Sequence, residues 1–144
     1  MEGMTMETAL PPRNLPAITE MNNYFWKGGA DGRLHILRCQ GEDCRYWIHP
    51  YAGRCPSCGG ADLAPEPVSG RATVAGFTVN HQPWIPGVPV PYVIAIVELE
   101  ERADLRLMTN LPTIPIEDVH IGLPVKVCFE PAPGGVFVPL FEKA

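Results

Sequence analysis

The chain has 144 residues, with 11 basic and 16 acidic side chains and a formal net charge of −5. Its 17 prolines are more than twice the usual share of about 5%, and proline is kept out of helix interiors and central strands. A helical bundle and a coiled coil are excluded, the acidic total argues against phosphate neutralisation, and a mostly β chain punctuated by loops is expected.

Residues 1–14, with several methionines and then Pro11-Pro12, read as a disordered tail. Glu2 and Glu7 interrupt any signal-peptide pattern there. The longest apolar run, Tyr92 to Val97, is far short of the ~20 residues that span a bilayer. A cytoplasmic protein without a membrane segment is expected.

An N-terminal helix is expected within 15–29, opened by a Thr19 cap and closed by Gly28-Gly29. Ile18, Met21 and Phe25 fall near one face, with Tyr24 beside them and Trp26 off it. So short a helix is marginal alone. It packs either on its own domain or, through three consecutive aromatics, on a partner.

Residues 30–68 carry the sharpest signal, Cys39-x4-Cys44-x10-Cys55-x2-Cys58. Two short cysteine loops brought together supply the closed tetrahedron of soft ligands that structural Zn²⁺ prefers. In the second loop Pro56 fixes the turn, and Gly59 accepts φ > 0 so that backbone N–H groups face the thiolates. Disulfides are disfavoured without a secretory signal. A rubredoxin-like iron site is the alternative, weakened by the longer first loop. Arg33 to Arg38 enters the first loop as a strand and Tyr46 to His49 returns from it, the hairpin of a zinc ribbon. Gly59 to Val68, with Pro65 and Pro67, reads as the exit and linker.

From residue 69 to 144 five strands are expected: Arg71 to His81, Tyr92 to Leu99, Leu105 to Leu111, Val125 to Glu130 and Val136 to Phe141. The first should present Thr73, Ala75, Phe77 and Val79 on one face. The fourth alternates, with Val125, Val127 and Phe129 opposite Lys126, Cys128 and Glu130. Pro115 to Val119 suits a short helix. Five strands with a helix between the third and fourth is the layout of an OB-fold barrel, with a plain sandwich as the alternative. The loop from His81 to Pro91 holds Trp84 and is semi-rigid, more suited to docking than to flexing. Cys128 reads as a half-buried strand cysteine, and the scattered histidines include one, His81, placed beside that loop. No nucleophile is assembled with a base, and no phosphate loop or His-Glu-x-x-His motif occurs, so no catalytic residue is assigned. A small enzyme using His81 or Cys128 is a minor alternative.

Several segments occur in a telling order: Phe25-Trp26-Lys27-Gly28, Gly32-Arg33-Leu34, the cysteine ribbon ending Cys55-Pro56-Ser57-Cys58-Gly59, Ser69 to Val74, Pro91 to Ala95, and Glu117 to Val125. Together they resemble the acyl-CoA-associated zinc-ribbon plus OB-fold family (domain of unknown function 35), over about residues 20 to 142. The departures are the lengthened first knuckle, with Arg45 where a glycine is usual, and the proline-rich 82–91 loop. Members are typically small partners of thiolase-like enzymes, including thiolases, hydroxymethylglutaryl-CoA synthases, C-acyltransferases and steroid side-chain retro-aldolases. The resemblance implies a rubredoxin-like zinc ribbon followed by an OB-fold barrel. It also implies an auxiliary subunit in a hetero-oligomer that stabilises such an enzyme and shapes its acyl-CoA entrance. The metal would sit on Cys39, Cys44, Cys55 and Cys58, and contacts to the partner or its CoA thioester would fall at Tyr24, Phe25, Trp26, His81 and Trp84. A single-stranded nucleic-acid-binding OB barrel is the competing reading.

Overall fold

The computed structural model describes residues 13–144, so most of the expected tail lies outside the described residues. One turn of helix, α1 (Asn23–Trp26), and a 3-10 turn at Gly28–Asp31 precede eight strands. Among the described residues no helix is long and apolar enough to cross a membrane. The first three strands, β1 (His35–Cys39), β2 (Trp47–Ile48) and β3 (Leu63–Pro67), form an antiparallel sheet in the order β2-β1-β3. The rest, β4 (Arg71–Asn80), β5 (Tyr92–Leu99), β6 (Arg106–Asn110), β7 (Pro124–Ala132) and β8 (Val136–Lys143), form a second sheet in the order β6-β5-β4-β7-β8.

The helix is shorter than expected. Thr19 does act as a cap, its Oγ1 accepting from the Met21 and Asn22 amides, but the turn it starts becomes α-helical only at Asn23. The segment Gly59 to Val68 is no linker after all: Leu63–Pro67 pairs with β1 along its whole length. Pro65 and Pro67 are two apart, so their missing N–H groups lie on one side of an edge strand, where no ladder bond is lost.

In the second sheet the end strands β6 and β8 meet across a seam. Buried Thr109 donates from Oγ1 to the Pro139 carbonyl at 3.0 Å, bridging β6 to β8 and curling the sheet toward an OB barrel. Arg13 reinforces the seam from outside: its Nε and Nη2 reach Glu130 of β7 at 2.8 and 3.1 Å, and Nη1 reaches Asn110 of β6 at 3.4 Å. The helix expected at Pro115–Val119 is a 3-10 turn at Ile116–Asp118.

The expected face of β4 holds only in its second half. Ala72 and Val74 pair with Leu99 and Val97 inside the barrel, leaving Thr73 outside. A bulge between Val74 and Gly76 then advances the strand by one residue, so Phe77 and Val79 oppose Ala95 and Val93 on the inner side. The alternation expected for β7 is observed: Val127 and Phe129 pack on the barrel core, Cys128 on the outer cluster of Val136, Val138 and Leu140. Leu15, Ile18 and Trp26 cover that outer cluster.

Ribbon and barrel share one core. Leu34, Ile36 and Trp47 from the ribbon and Phe25 from α1 join Val74, Val97, Val125 and Phe141 in a single cluster. Arg102, in the turn between β5 and β6, donates to the Trp47 carbonyl, and its guanidinium lies 4.0 Å above the Tyr46 ring.

Candidate metal centre

The four cysteines of the ribbon converge. Cys39 ends β1, Cys44 closes the first knuckle, and Cys55 and Cys58 form the second. Their sulfurs all lie within 4.8 Å of one another, with Cys39 to Cys58 at 3.7 Å and Cys44 to Cys55 at 3.6 Å. A disulfide would bring sulfurs to about 2.05 Å, so these are four free thiols aimed at a common centre that could hold a metal ion.

The backbone prepares that centre. In the second knuckle the Gly59 amide donates to the Cys55 carbonyl and the Cys55 amide to the Gly60 carbonyl, both at 2.8 Å. Gly59 makes the turn with φ +78°, a conformation that suits a residue without Cβ. This geometry points the Ser57 amide at Cys55 Sγ and the Gly60 amide at Cys58 Sγ, each at 3.4 Å. Burial opposes ionisation of Cys55, yet donors from Cys58, Ser57 and Cys44 outweigh it and bring its thiol down to about 7. A metal binds the thiolate, and this site favours that form.

The first knuckle is held differently. Arg45 adopts φ +58°, the left-handed region that glycine fills at no steric cost. Its guanidinium is anchored: Nη2 meets Glu66 Oε2 at 2.7 Å and Nη1 meets Gln40 Oε1 at 3.1 Å. Gln40 and Arg38 also reach Glu66, and Arg38 Nε donates to the Arg45 carbonyl at 2.8 Å. The Gln40 hydrogen bond, then the two arginines, hold the Glu66 carboxyl below its ordinary range. Glu66 lies on β3, the strand that sequence reading took for a linker, so this bracket was not foreseen.

The other expected contact residues separate into two groups. Phe25 is buried, its ring edge-on to Trp26 at 4.9 Å and tilted over His49 at 5.0 Å. Tyr24 and Trp26 pack against the same core. Of the two options left open for α1, the structure places its aromatics against the chain itself. His81 and Trp84 lie instead at the tip of the β4–β5 hairpin, both exposed, Trp84 by 74%.

Among the described residues no other group of three or more metal-ligating side chains comes together. Burial pushes the Cys128 thiol up, and the Glu142 and Glu130 carboxylates add to this, so it stays protonated at neutral pH. His49 is half-buried, its enclosed Nδ1 lacking a partner among the described residues, and burial lowers its pKa. A cleft of about 390 Å³ between the ends of β4, β5 and β7 is lined by Arg71, Thr73, Glu98, Glu100, Arg102 and Val125, with no cysteine, histidine or lysine in its lining.

Comparison with known proteins agrees with this architecture. The family described as ChsH2, C-terminal OB-fold domain, matches residues 65–130. The chain is 36% identical over 136 residues to a probable enoyl-CoA hydratase alpha subunit of Thermomonospora curvata, covering 94% of this chain but only 41% of that relative. It is 30% identical over 107 residues to the benzoylsuccinyl-CoA thiolase subunit BbsA of Thauera aromatica, covering 72% of this chain and 71% of the relative. A solved chain from the Ltp2-ChsH2(DUF35) aldolase superposes with a TM-score of 0.78 at 34% identity, covering 90% of this chain and 98% of that one. With its OB barrel preceded by a four-cysteine ribbon and matched almost end to end by a solved DUF35 chain, this protein belongs to the DUF35 family.

Proposed function

We propose that the chain is an auxiliary, non-catalytic subunit of a thiolase-like acyl-CoA enzyme, one that stabilises its partner and shapes the acyl-CoA entrance, while the partner supplies the reacting groups. The observation that carries this reading is the near-complete match to a DUF35 chain solved in an aldolase described by two components. A relative described as a thiolase subunit supports it. His81 and Trp84 are the residues assigned to the partner or its thioester. Tyr24, Phe25 and Trp26 serve from inside, by joining α1 to the barrel.

The four thiols are assigned to structural Zn²⁺. Four sulfurs about 2.3 Å from a tetrahedral zinc stand ~3.8 Å apart, close to the 3.6 and 3.7 Å separations here. When bound, zinc would cross-link the two knuckles, and all four positions would be filled by protein. A thiol set of this kind suits a reducing compartment, which supports a cytoplasmic location. The competing nucleic-acid reading needs a free basic groove. Among the described residues, Arg13, Arg38, Arg45, Arg102, Arg106, Lys126 and Lys143 are each paired with a carboxylate.

The test is affinity purification of the full chain from its native cells, with metal analysis of the product. A thiolase-like partner and about one zinc per chain are expected. A chain that elutes alone, or beside an enzyme unrelated to CoA thioesters, refutes the subunit assignment; stoichiometric iron refutes zinc.

A further inference from the structure

We propose that the outer face and tip of the β4–β5 hairpin, together with Met108 of β6, form the docking surface for the enzyme subunit; this rests on the proposed function. Residues 72–97 contain no Asp, Glu, Lys or Arg. With 27 charged residues in 144, a stretch of 26 would ordinarily hold about five. Five of the nine exposed large apolar side chains of the described residues lie here: Trp84, Ile85, Val90, Ile96 and Met108. Monomers rarely keep so much apolar surface together.

The register explains how the surface is built. The β4 bulge sets Gly76 opposite Ile96, and Ile96 opposite Met108, all on the outer side. A Cβ at Gly76 would meet nothing within 4 Å, so a trough lies beside the Ile96–Met108 ridge. The Glu98–Arg106 pair, at 3.4 Å, marks the polar rim, and Trp84 stands at the opposite end. An uncharged centre with aromatic and methionine side chains inside a charged rim is the composition of a protein interface. The equivalent outer cluster on β8 is covered by Leu15, Ile18 and Trp26; among the described residues, Ile96 and Met108 on this one stay exposed.

Charge complementarity selects the occupant. A surface without cations in a chain of net charge −5 offers nothing to nucleic-acid phosphates or anionic lipid. It matches an uncharged apolar patch on another protein, with a pocket for the Trp84 indole.

The test uses the full chain and the acyl-CoA enzyme subunit that copurifies with it. Oxidative footprinting should protect Trp84 and Met108 at least fivefold in the complex and leave Met21, exposed but far along the chain from this face, within twofold. The double variant Trp84→Ser/Ile96→Thr should weaken binding at least ~30-fold while Ile121→Ser binds like wild type, all three melting alike. Wild-type affinity in the double variant, with the CoA enzyme still captured, overturns the surface and leaves the functional reading standing. Loss of binding to a captured partner of another class overturns the enzyme subunit as occupant together with that reading. Protection that appears on concentrating the chain alone assigns the face to a second copy and overturns the proposal.

Discussion

Gly29→Ala should destabilise the protein, because Gly29 is where the 3-10 turn after α1 presses on the barrel. It is buried, and an added Cβ would sit 2.6 Å from Phe129 Cδ1, 2.7 Å from its Cε1 and 2.8 Å from Phe137 Cβ. Carbon pairs rest at about 3.5–4.0 Å, so the neighbours must retreat by ~1 Å. The half-buried Phe129 ring can give way, but Phe137 Cβ is fixed to β8 and can yield only by moving backbone. Overpacking of this kind costs roughly 1–3 kcal/mol. Ala restricts the unfolded chain and offsets up to ~1 kcal/mol, leaving a net loss of about 1–2 kcal/mol. For a chain of this size each kcal/mol lowers the midpoint by about 2–4 °C, so a drop of about 2–8 °C is expected in a thermal melt followed by circular dichroism. Phe129→Val removes both close ring carbons and should shrink the effect of Gly29→Ala, a coupling that a double-mutant cycle measures. An unchanged midpoint, or an equal drop in the Phe129→Val background, would show that the turn does not seat where the contact distances place it.

Arg13→Leu should cost only about 0.5 kcal/mol at neutral pH, since both partners of its pair are over a third exposed. The Arg13 hydrogen bond holds Glu130 below its ordinary value of 4.5, so the stabilisation is present above that value and fades as pH falls through the depressed folded value. Urea midpoints of wild type and variant should therefore differ at pH 7 and converge as the pH falls below 4.5 and through that depressed value; a gap that widens on acidification contradicts the assignment. Glu66→Gln removes the carboxylate that anchors Arg45 and Arg38, and should raise metal release to a chelating dye several-fold. Adding Arg45→Gly, which needs no anchor at φ +58°, should restore much of the retention. Equal release from wild type and Glu66→Gln would remove the bracket from the account.

Where chemistry depends on residue type and short spacing, the sequence was readable. The four cysteines specify their own geometry, β5 was legible from its apolar run and β7 from its period-2 alternation, and their inner members Val97 and Val125 are fully buried. The strand at Leu63–Pro67 was not readable as a strand, because two prolines in five residues mimic a linker. Only the register with β1 shows that their N–H sides face away from the ladder. The half-wrong face of β4 has a similar origin, since a one-residue bulge is invisible to a periodicity that assumes none. The aromatics at 24–26 left two options open, because local sequence records that a helix face must be covered and says nothing about what covers it. His49 lies against Phe25 at 5.0 Å, and the core that Leu34 and Trp47 share with the barrel takes in the rest.

Exposed aromatics and charge-free stretches therefore carry different information in this chain. Tyr24-Phe25-Trp26 stands between Glu20 and Lys27 and packs on the chain's own core, Phe25 buried and its two neighbours half-buried. The stretch from 72 to 97 lacks every charge yet keeps five large apolar groups in water. Folding alone does not require that combination: the tip residue Trp84, 74% exposed, would lose little in stability by becoming polar. What folding does account for is the inner row, Val93, Ala95 and Val97. The acidic balance points the same way. Among the described residues seven of the eleven basic side chains are engaged by carboxylates, and the uncharged hairpin is the surface on which a subunit role has to rest.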